Sequence, residues 1–295
     1  MTKKFHVHII LGPTASGKSA HGVRLAKQLG GEVISADSRQ IYRGMDVGTG
    51  KITVEEMDGI PHHMIDICDP DEAFSVGDFK ERSETCIDQI LERGNVPIIV
   101  GGTGLYLNAL VQNYELPPIL RDVHVQEALE KELEEKGEEV LYKELMMHDP
   151  ESAQVFSPKN HRYLIRALEI LRTTGKKKSE LAVKKNPRFT FEIEGILWEN
   201  SILAERINQR HRAMFLNNAL IDETEVLLAK GYDFSLESMS SIGYKQVGEY
   251  LDGKIRKEEA VEQTCGAARQ YAKRQRTWFR RLEKMIPIHW IEQSL

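Results

Sequence analysis

Cysteine is scarce: Cys68, Cys86 and Cys265 are the only three in 295 residues. An odd, widely spaced set builds neither a disulfide framework nor a zinc site, and it points to buried thiols in a reducing compartment. No apolar run approaches the roughly 18 residues of a membrane span, and no apolar leader opens the chain, so a cytoplasmic protein off the membrane is expected. Strong charge of one sign is missing as well. Lys and Arg number 40 against 45 Asp and Glu, a net charge of −5, which excludes wholesale coating of nucleic acid and still allows a local basic face. No internal repeat or low-complexity segment is visible. What is left is an ordinary globular composition, long enough for one large or two modest domains.

Against this plain background one stretch carries chemistry. Gly12-Pro13-Thr14-Ala15-Ser16-Gly17-Lys18-Ser19 reads G-x-x-x-x-G-K-S, between an apolar run at 7–11 and a helical pattern at 18–29. The two glycines let the backbone turn tightly enough to aim several N–H groups at one anion, and the helix adds its positive end. Lys18 supplies a point charge to phosphate oxygens, and the Ser19 hydroxyl is placed for Mg²⁺. A second apolar run, 32–36, ends at Asp37. Alternating strands and helices imply a parallel sheet, whose ligands bind beyond the carboxyl ends of the strands, so Asp37 shares the rim of the phosphate loop. The glycine-rich stretch 43–51 is either a wall of that site or a plain surface loop. A short strand at 97–100 runs into Gly101-Gly102-Thr103-Gly104 without the acid by which nucleotide hydrolases hold Mg²⁺ and water, which weighs against an ATPase. Thr103 offers a hydroxyl to the rim or a turn and cap to a helix at 105–111.

The rest of the chain sorts by pattern. Residues 60–67 read as a proline-led strand, and adjacent His62 and His63 fall on its opposite faces, which argues against one shared metal. Ser75 caps a helix over 75–92. Beyond Pro117 the pattern turns to amphipathic helices at 123–136, 138–148 and 159–172. The predicted organisation is therefore an α/β core of residues 1–121 and 187–295, with a helical insertion at 122–186. Inside the insertion, Arg162 and Arg166 flank Tyr163, either a solvated face or a nucleic-acid contact. After a strand at 189–197, Arg206 and Arg210 stand four apart on one helix face. They either grip a diphosphate from the side opposite the loop or pair with Glu205 or Asp222. Lastly, the helix at 268–281 combines Arg269, Lys273, Arg274, Arg276, Arg280 and Arg281 with Tyr271, Trp278 and Phe279. Such a helix grips phosphates and stacks bases, or else turns its aromatics into the core.

In order along the chain, GPTASGKS, DSRQIYRGMDVGT, PHHMIDICDP, GGTGLYLNAL, RINQR, IGYKQ and RQYAKRQRTWFRR resemble the bacterial tRNA dimethylallyltransferase family over nearly the whole length. The resemblance implies a P-loop-type parallel sheet flanked by helices, with a helical insertion. It implies transfer of a dimethylallyl group from dimethylallyl diphosphate to N6 of the adenosine just 3′ of the anticodon, with Mg²⁺ as cofactor and a monomeric enzyme. On this resemblance residues 12–19 and Arg210 hold the diphosphate, Ser19 meets the metal, and Asp37 faces the amine. Thr103 contacts the target nucleotide, which has left its stack for a channel through the core. Ser38, Arg39 and Gln40 receive the base, and Arg162, Arg166, Lys273, Arg276 and Arg280 grip the tRNA. The absent acid after residue 100 then fits, because water competes for an allyl cation-like carbon. Tyr163 departs from the family pattern, which has arginine there, and Phe74 stands where tyrosine is common. His62 matches a recurrent family histidine, for substrate contact or for loop support.

Two other enzyme classes share parts of this signature. A P-loop small-molecule kinase would use Asp37 to activate a hydroxyl, and Mg²⁺-dependent ATP binding with phosphoryl transfer identifies it. A prenyltransferase acting on free adenine nucleotide is separated by competition between AMP and an anticodon stem-loop; the helical insertion favours tRNA. A binding module with a dead loop is opposed by the intact Gly17, Lys18 and Ser19.

Overall fold

The computed structural model describes residues 5–115, 122–155, 157–181, 183–184 and 186–294. Strand β1 (His6–Leu11) enters the phosphate loop, and α1 (Lys18–Leu29) leaves it, stopped at Gly30 by a left-handed φ of 63° that glycine adopts without a Cβ penalty. Strand β2 (Gly31–Ala36) is buried at every position, as a central parallel strand covered on both faces must be. Short α2 (Val54–Met57) and β3 (His62–His63) precede α3 (Val76–Glu92). Ser75 and Asp78 close a capping box on α3, as the sequence predicts. Strand β4 (Val96–Gly101) and α4 (Gly104–Val111) complete the first half of the core.

The insertion comprises β5 (Tyr114–Glu115), α5 (Val123–Lys136), α6 (Glu138–His148), α7 (Pro150–Gln154), α8 (His161–Thr174), α9 (Lys178–Leu181) and β6 (Val183–Lys184). The core resumes with β7 (Thr190–Leu197), α10 (Asn200–Met214), α11 (Ala219–Ala229), α12 (Tyr244–Leu251), α13 (Lys257–Glu283) and β8 (His289–Glu292). Six strands form one parallel sheet in the order β3-β2-β4-β1-β7-β8. Gly101 is level with both Leu11 and Ala36 in this register. Three neighbouring strands therefore end together and deliver Gly12, Asp37 and Gly102 to one rim.

Apolar side chains cover both faces. On one, Ile34, Ile99 and Leu11 pack with Phe79 of α3 and Leu107 of α4, where Phe79 stacks on Tyr106 at 4.0 Å between centroids. On the other, Ile10, Val33 and Val100 pack with Ala26 of α1 and Ile207 of α10. Helix α13 joins both layers. Its Ala268 and Ala272 belong to the α1 side and its Phe279 and Leu282 to the α3 side, so this helix crosses the carboxyl rim of the sheet. A third cluster seats the loop residues Ile41, Tyr42 and Met45 against Leu220 of α11 and Tyr244 of α12.

By contact, the chain divides into Met1–Val111 with Pro187–Leu295, and Gln112–Asn186. The second unit has its own core of Leu129, Leu141, Leu145, Leu164 and Leu168. It starts ten residues before the expected 122, because β5 pairs antiparallel with β6 and Asn113 Nδ2 donates to the Asn186 carbonyl at 2.7 Å. Tyr163, the departure from the family pattern, lies under the Lys178 ammonium, 3.2 Å from the ring centroid, so α9 brings a cation to the position where arginine was expected.

Three other expectations need correcting. The strand predicted over 60–67 is only two residues long, because Met64 and Asp66 take left-handed φ of 62° and 53° that no strand accommodates. Strand β8 was not foreseen, and α13 begins at Lys257 rather than 268. Of the three thiols, Cys68 and Cys265 are buried while Cys86 is only half-buried. No helix among the described residues is long and apolar enough to cross a membrane.

Candidate active site

The phosphate loop is held open by backbone geometry that its own sequence resists. Ala15 takes φ 61° and Gly17 φ 88°; the first costs a residue with a Cβ on the order of 1–2 kcal/mol. Two donors hold that turn in place. Arg206 Nε donates to the Ala15 carbonyl at 3.0 Å, and Trp198 Nε1 donates to the Ser16 carbonyl at 2.9 Å. The Arg206 guanidinium also lies 4.4 Å over the Trp198 ring. These donors fix two loop carbonyls, while the Thr14 and Ser16 N–H groups are committed to Gln275 Oε1 and the Pro13 carbonyl, so an anion is met by the remaining N–H groups of the loop. Ser16 Oγ is buried and has no hydrogen-bond partner among the described residues, a cost that a bound ligand oxygen removes.

One cleft brings together residues distant in sequence: Lys18, Ser19, Asp37, Gln40, His62 and Ile65, with Val33 and Val100 as its apolar floor. Burial pushes the Lys18 ammonium down to about 8, opposed by the attraction of Asp37 and helped by the repulsion of Arg210. Burial likewise lowers Arg210, again opposed by Asp37. Two desolvated cations therefore face one carboxylate. Arg210 is fixed by donating from Nη2 to the Gly50 carbonyl at 2.8 Å, and Gln40 Nε2 donates to the same oxygen at 3.3 Å. A Cβ at Gly50 would stand 1.7 Å from that guanidinium, at φ 55°, so this loop position requires glycine. The loop 43–51 thus buttresses Arg210 through Gly50, between Gln40 and Ile52, which line the cleft. Glu223 holds it, accepting from the backbone N–H groups of Asp46, Val47 and Gly48 at 2.9, 2.7 and 3.1 Å and from the Tyr244 hydroxyl at 2.6 Å.

The two open readings of the arginine pair resolve into two jobs. Arg206 braces the loop backbone, while Arg210 stands in the cleft's electrostatic field, and both take partners other than Glu205 and Asp222. Asp37 Oδ1 accepts from the Arg39 N–H at 2.9 Å, and Thr103 Oγ1 accepts from the Ser38 N–H at 3.1 Å. The Thr103 carbonyl meanwhile accepts from the N–H groups of Tyr106 and Leu107. Thr103 therefore caps α4 with its backbone and spends its hydroxyl on the rim. Arg39 turns away to the Glu237 carbonyl at 3.0 Å. His62 Nδ1 bonds the Ile60 carbonyl at 2.8 Å, and burial lowers its pKa. His63 points to Glu32 instead, at 2.6 Å, as alternation along a strand requires.

Helix α13 supplies what sequence reasoning missed. Tyr271 meets the Thr103 hydroxyl and is pushed up to about 12, chiefly by burial. Gln275, only 3% exposed, accepts from the Thr14 N–H at 2.9 Å and donates to the Gly102 carbonyl at 3.0 Å. Trp278 packs on Gly104, where a Cβ would meet it at 2.4 Å. Phe279 is in the core. Of the three aromatics only Phe279 is buried; Tyr271 and Trp278 are half-buried, with Arg274 and Arg281 over their rings, whereas Lys273 and Arg280 are exposed. Arg276 is half-buried and bonded to Asn200 Oδ1. The signal was present in the sequence: Ala268, Ala272, Gln275, Phe279 and Leu282 recur at helical spacing and all are buried. In the insertion, Arg162 is exposed, while Arg166 pairs with buried Glu169 at 2.8 Å.

Comparison with known proteins points one way. Residues 40–282 match the IPP transferase family model. A tRNA dimethylallyltransferase of Oceanobacillus iheyensis is 45% identical over 287 residues, 97% of this chain and 90% of the relative. One from Halalkalibacterium halodurans is 46% identical over 274 residues, 92% and 87% of the respective chains. Among solved structures, the full-length tRNA isopentenylpyrophosphate transferase from Bacillus halodurans superposes with a TM-score of 0.71 at 43% identity, covering 98% of this chain and 90% of that one. A eukaryotic dimethylallyltransferase described as acting on tRNA gives 0.76 at 28% identity, covering 98% and 74%. Similar along nearly its whole length in sequence and in fold, the chain belongs to the IPP transferase family, the tRNA dimethylallyltransferases.

Proposed function

We propose that the chain moves a dimethylallyl group from dimethylallyl diphosphate to N6 of the adenosine 3′-adjacent to the anticodon of tRNA, releasing diphosphate, and works as a cytoplasmic monomer. The observation that carries this reading is the cleft lined by Lys18 and Asp37, with the Arg210 charge, from another helix, acting on Lys18 and itself held up by Asp37. Desolvated cations stabilise a growing negative charge far better than hydrated ones. Here that charge appears on the diphosphate oxygen as the C1–O bond breaks and the leaving group takes the electron pair. The N6 lone pair forms the new C–N bond, and the N6 proton passes to the Asp37 carboxylate, within reach of a base held by Ser38, Gln40 and Thr103. Apolar Val33 and Val100 suit the isoprenoid carbons and keep water from C1.

Mg²⁺ fits the donor set. Ser19 offers one hydroxyl beside Lys18, and among the described residues no group of three His, Cys, Asp or Glu side chains is placed to hold a metal by itself. Ser19 and the diphosphate oxygens would hold the ion, which neutralises leaving-group charge. Exposed Lys273, Arg280 and Arg162, with half-buried Arg276, are the proposed tRNA contacts through phosphate and sugar.

The test is direct. Protein, Mg²⁺, dimethylallyl diphosphate and an unmodified tRNA with adenosine at the target site yield N6-dimethylallyladenosine by mass spectrometry of the digested tRNA. Absence of that nucleoside across several such tRNAs rejects the reading.

A further inference from the structure

We infer that Gln275 is a positioning residue for the reaction: its amide sets the distance between the loop that takes the donor and the loop that takes the acceptor. This inference rests on the reading of the site as a prenyltransferase. Gln275 sits on the inward face of α13, where the helix crosses the ends of β1 and β4. The carbonyl of its amide accepts from Thr14 in the phosphate loop, and the amino group donates to Gly102, one residue before Thr103. Tyr271, one turn earlier, meets Thr103 itself, and Trp278 packs on Gly104. The fit at Gly102 is close, since a Cβ there would stand 2.2 Å from Gln275 Nε2.

An in-line displacement requires the amine, C1 and the leaving oxygen to be aligned within a few tenths of an ångström, and misplacement by about 1 Å can cost roughly 100-fold. The donor hangs from one loop and the acceptor from the other. Pairing of β1 with β4 fixes the two chains as far as Leu11 and Gly101, and beyond that point the amide of Gln275 bridges the two loops. It also occupies the Thr14 N–H, which withdraws that group from the anion and fixes the tilt of its peptide. The outer face of the same helix carries Lys273 and Arg280, which places the proposed tRNA grip and the spacer on one rigid element.

Leucine, asparagine and glutamic acid at position 275 separate this role from simple support. Gln275→Leu keeps the volume and loses both hydrogen bonds. Single-turnover transfer should fall by roughly 30-fold or more, while KM values for donor and tRNA stay within about threefold. Gln275→Asn is one methylene short and should not rescue. Gln275→Glu reproduces both bonds only when its carboxyl is protonated, accepting from Thr14 and donating to Gly102. Its rate divided by that of the unmodified enzyme should climb as pH falls from 8 to 6, by up to about 100-fold. Lys18, Asp37, Arg206 and Arg210 are common to both proteins, so the ratio cancels their titration. A Leu variant within threefold of the parent rate overturns the inference, as does a Glu ratio that is low and flat across this range. Should the Leu variant fail to fold, the Glu ratio decides alone. An inactive parent enzyme defeats the functional reading instead, and so the two failures are distinct.

Discussion

Asp37 shows how much one side chain's meaning depends on its setting. Its Oδ1 is committed to the Arg39 N–H, which fixes the carboxylate in the cleft it shares with Lys18. Replacing it with alanine should cut transfer by roughly 10²–10⁴-fold, the range of a positioned proton acceptor, and leave tRNA affinity nearly unchanged. Steady-state kinetics beside a filter-binding titration check this; a fall in affinity alone would make Asp37 a binding group. Lys18 complements it. With a pKa lowered to about 8 the ammonium is still mostly protonated at neutral pH, and the desolvation it tolerates is offset when a diphosphate arrives. The role of Lys18 and Ser19 was legible because the phosphate-loop motif encodes backbone geometry locally. Gln275, Glu223 and Trp198 were not legible. Each acts across more than 170 residues of chain, a separation over which no local pattern signals contact.

Among the elements, the buried end of β2 and the last turn of α3 are joined by Glu32. Hydrogen bonds from Arg93 above all, then from Asn95 and His63, hold its carboxyl at about 2 against the opposing effect of burial. The folded pKa is depressed, so the contribution is complete above the ordinary value of 4.5 and is lost as pH falls toward 2. The shift corresponds to about 3 kcal/mol. Glu32→Gln should lower the denaturation midpoint at pH 7 and flatten the acid limb between pH 4.5 and 2. Acid limbs that stay parallel would show that Glu32 contributes nothing through ionisation. Helix α13 is the second case. Lys273 and Arg280 are exposed, and Arg281 lies over the Trp278 ring, so replacing Arg276, Arg280 and Arg281 together should weaken tRNA binding and reduce the salt slope by up to about 2. An unchanged slope would return those arginines to solvent-facing support.

At the scale of the whole molecule, the two ends of the insertion are tied to each other. Asn113 is hydrogen-bonded to Asn186, and β5 pairs with β6. Gln112–Asn186 also carries its own apolar core. Replacing residues 112–186 by a short glycine-serine linker should therefore give a folded protein that still binds a diphosphate, with tRNA affinity reduced at least tenfold. Calorimetric titration with pyrophosphate and with an anticodon stem-loop measures both; undiminished stem-loop affinity would remove the insertion from the tRNA interface. Sequence by itself determined the α/β class, the phosphate cradle, the cap of α3 and the helical character of the insertion, because each follows from neighbours within about one turn or one strand. It also carried the buried stripe of α13. Only the tertiary structure decided which partner that stripe meets, why β3 stops after two residues, and where β8 joins. Those outcomes depend on strand order and on which rim a distant helix crosses, and the energies that select them are summed over the whole core.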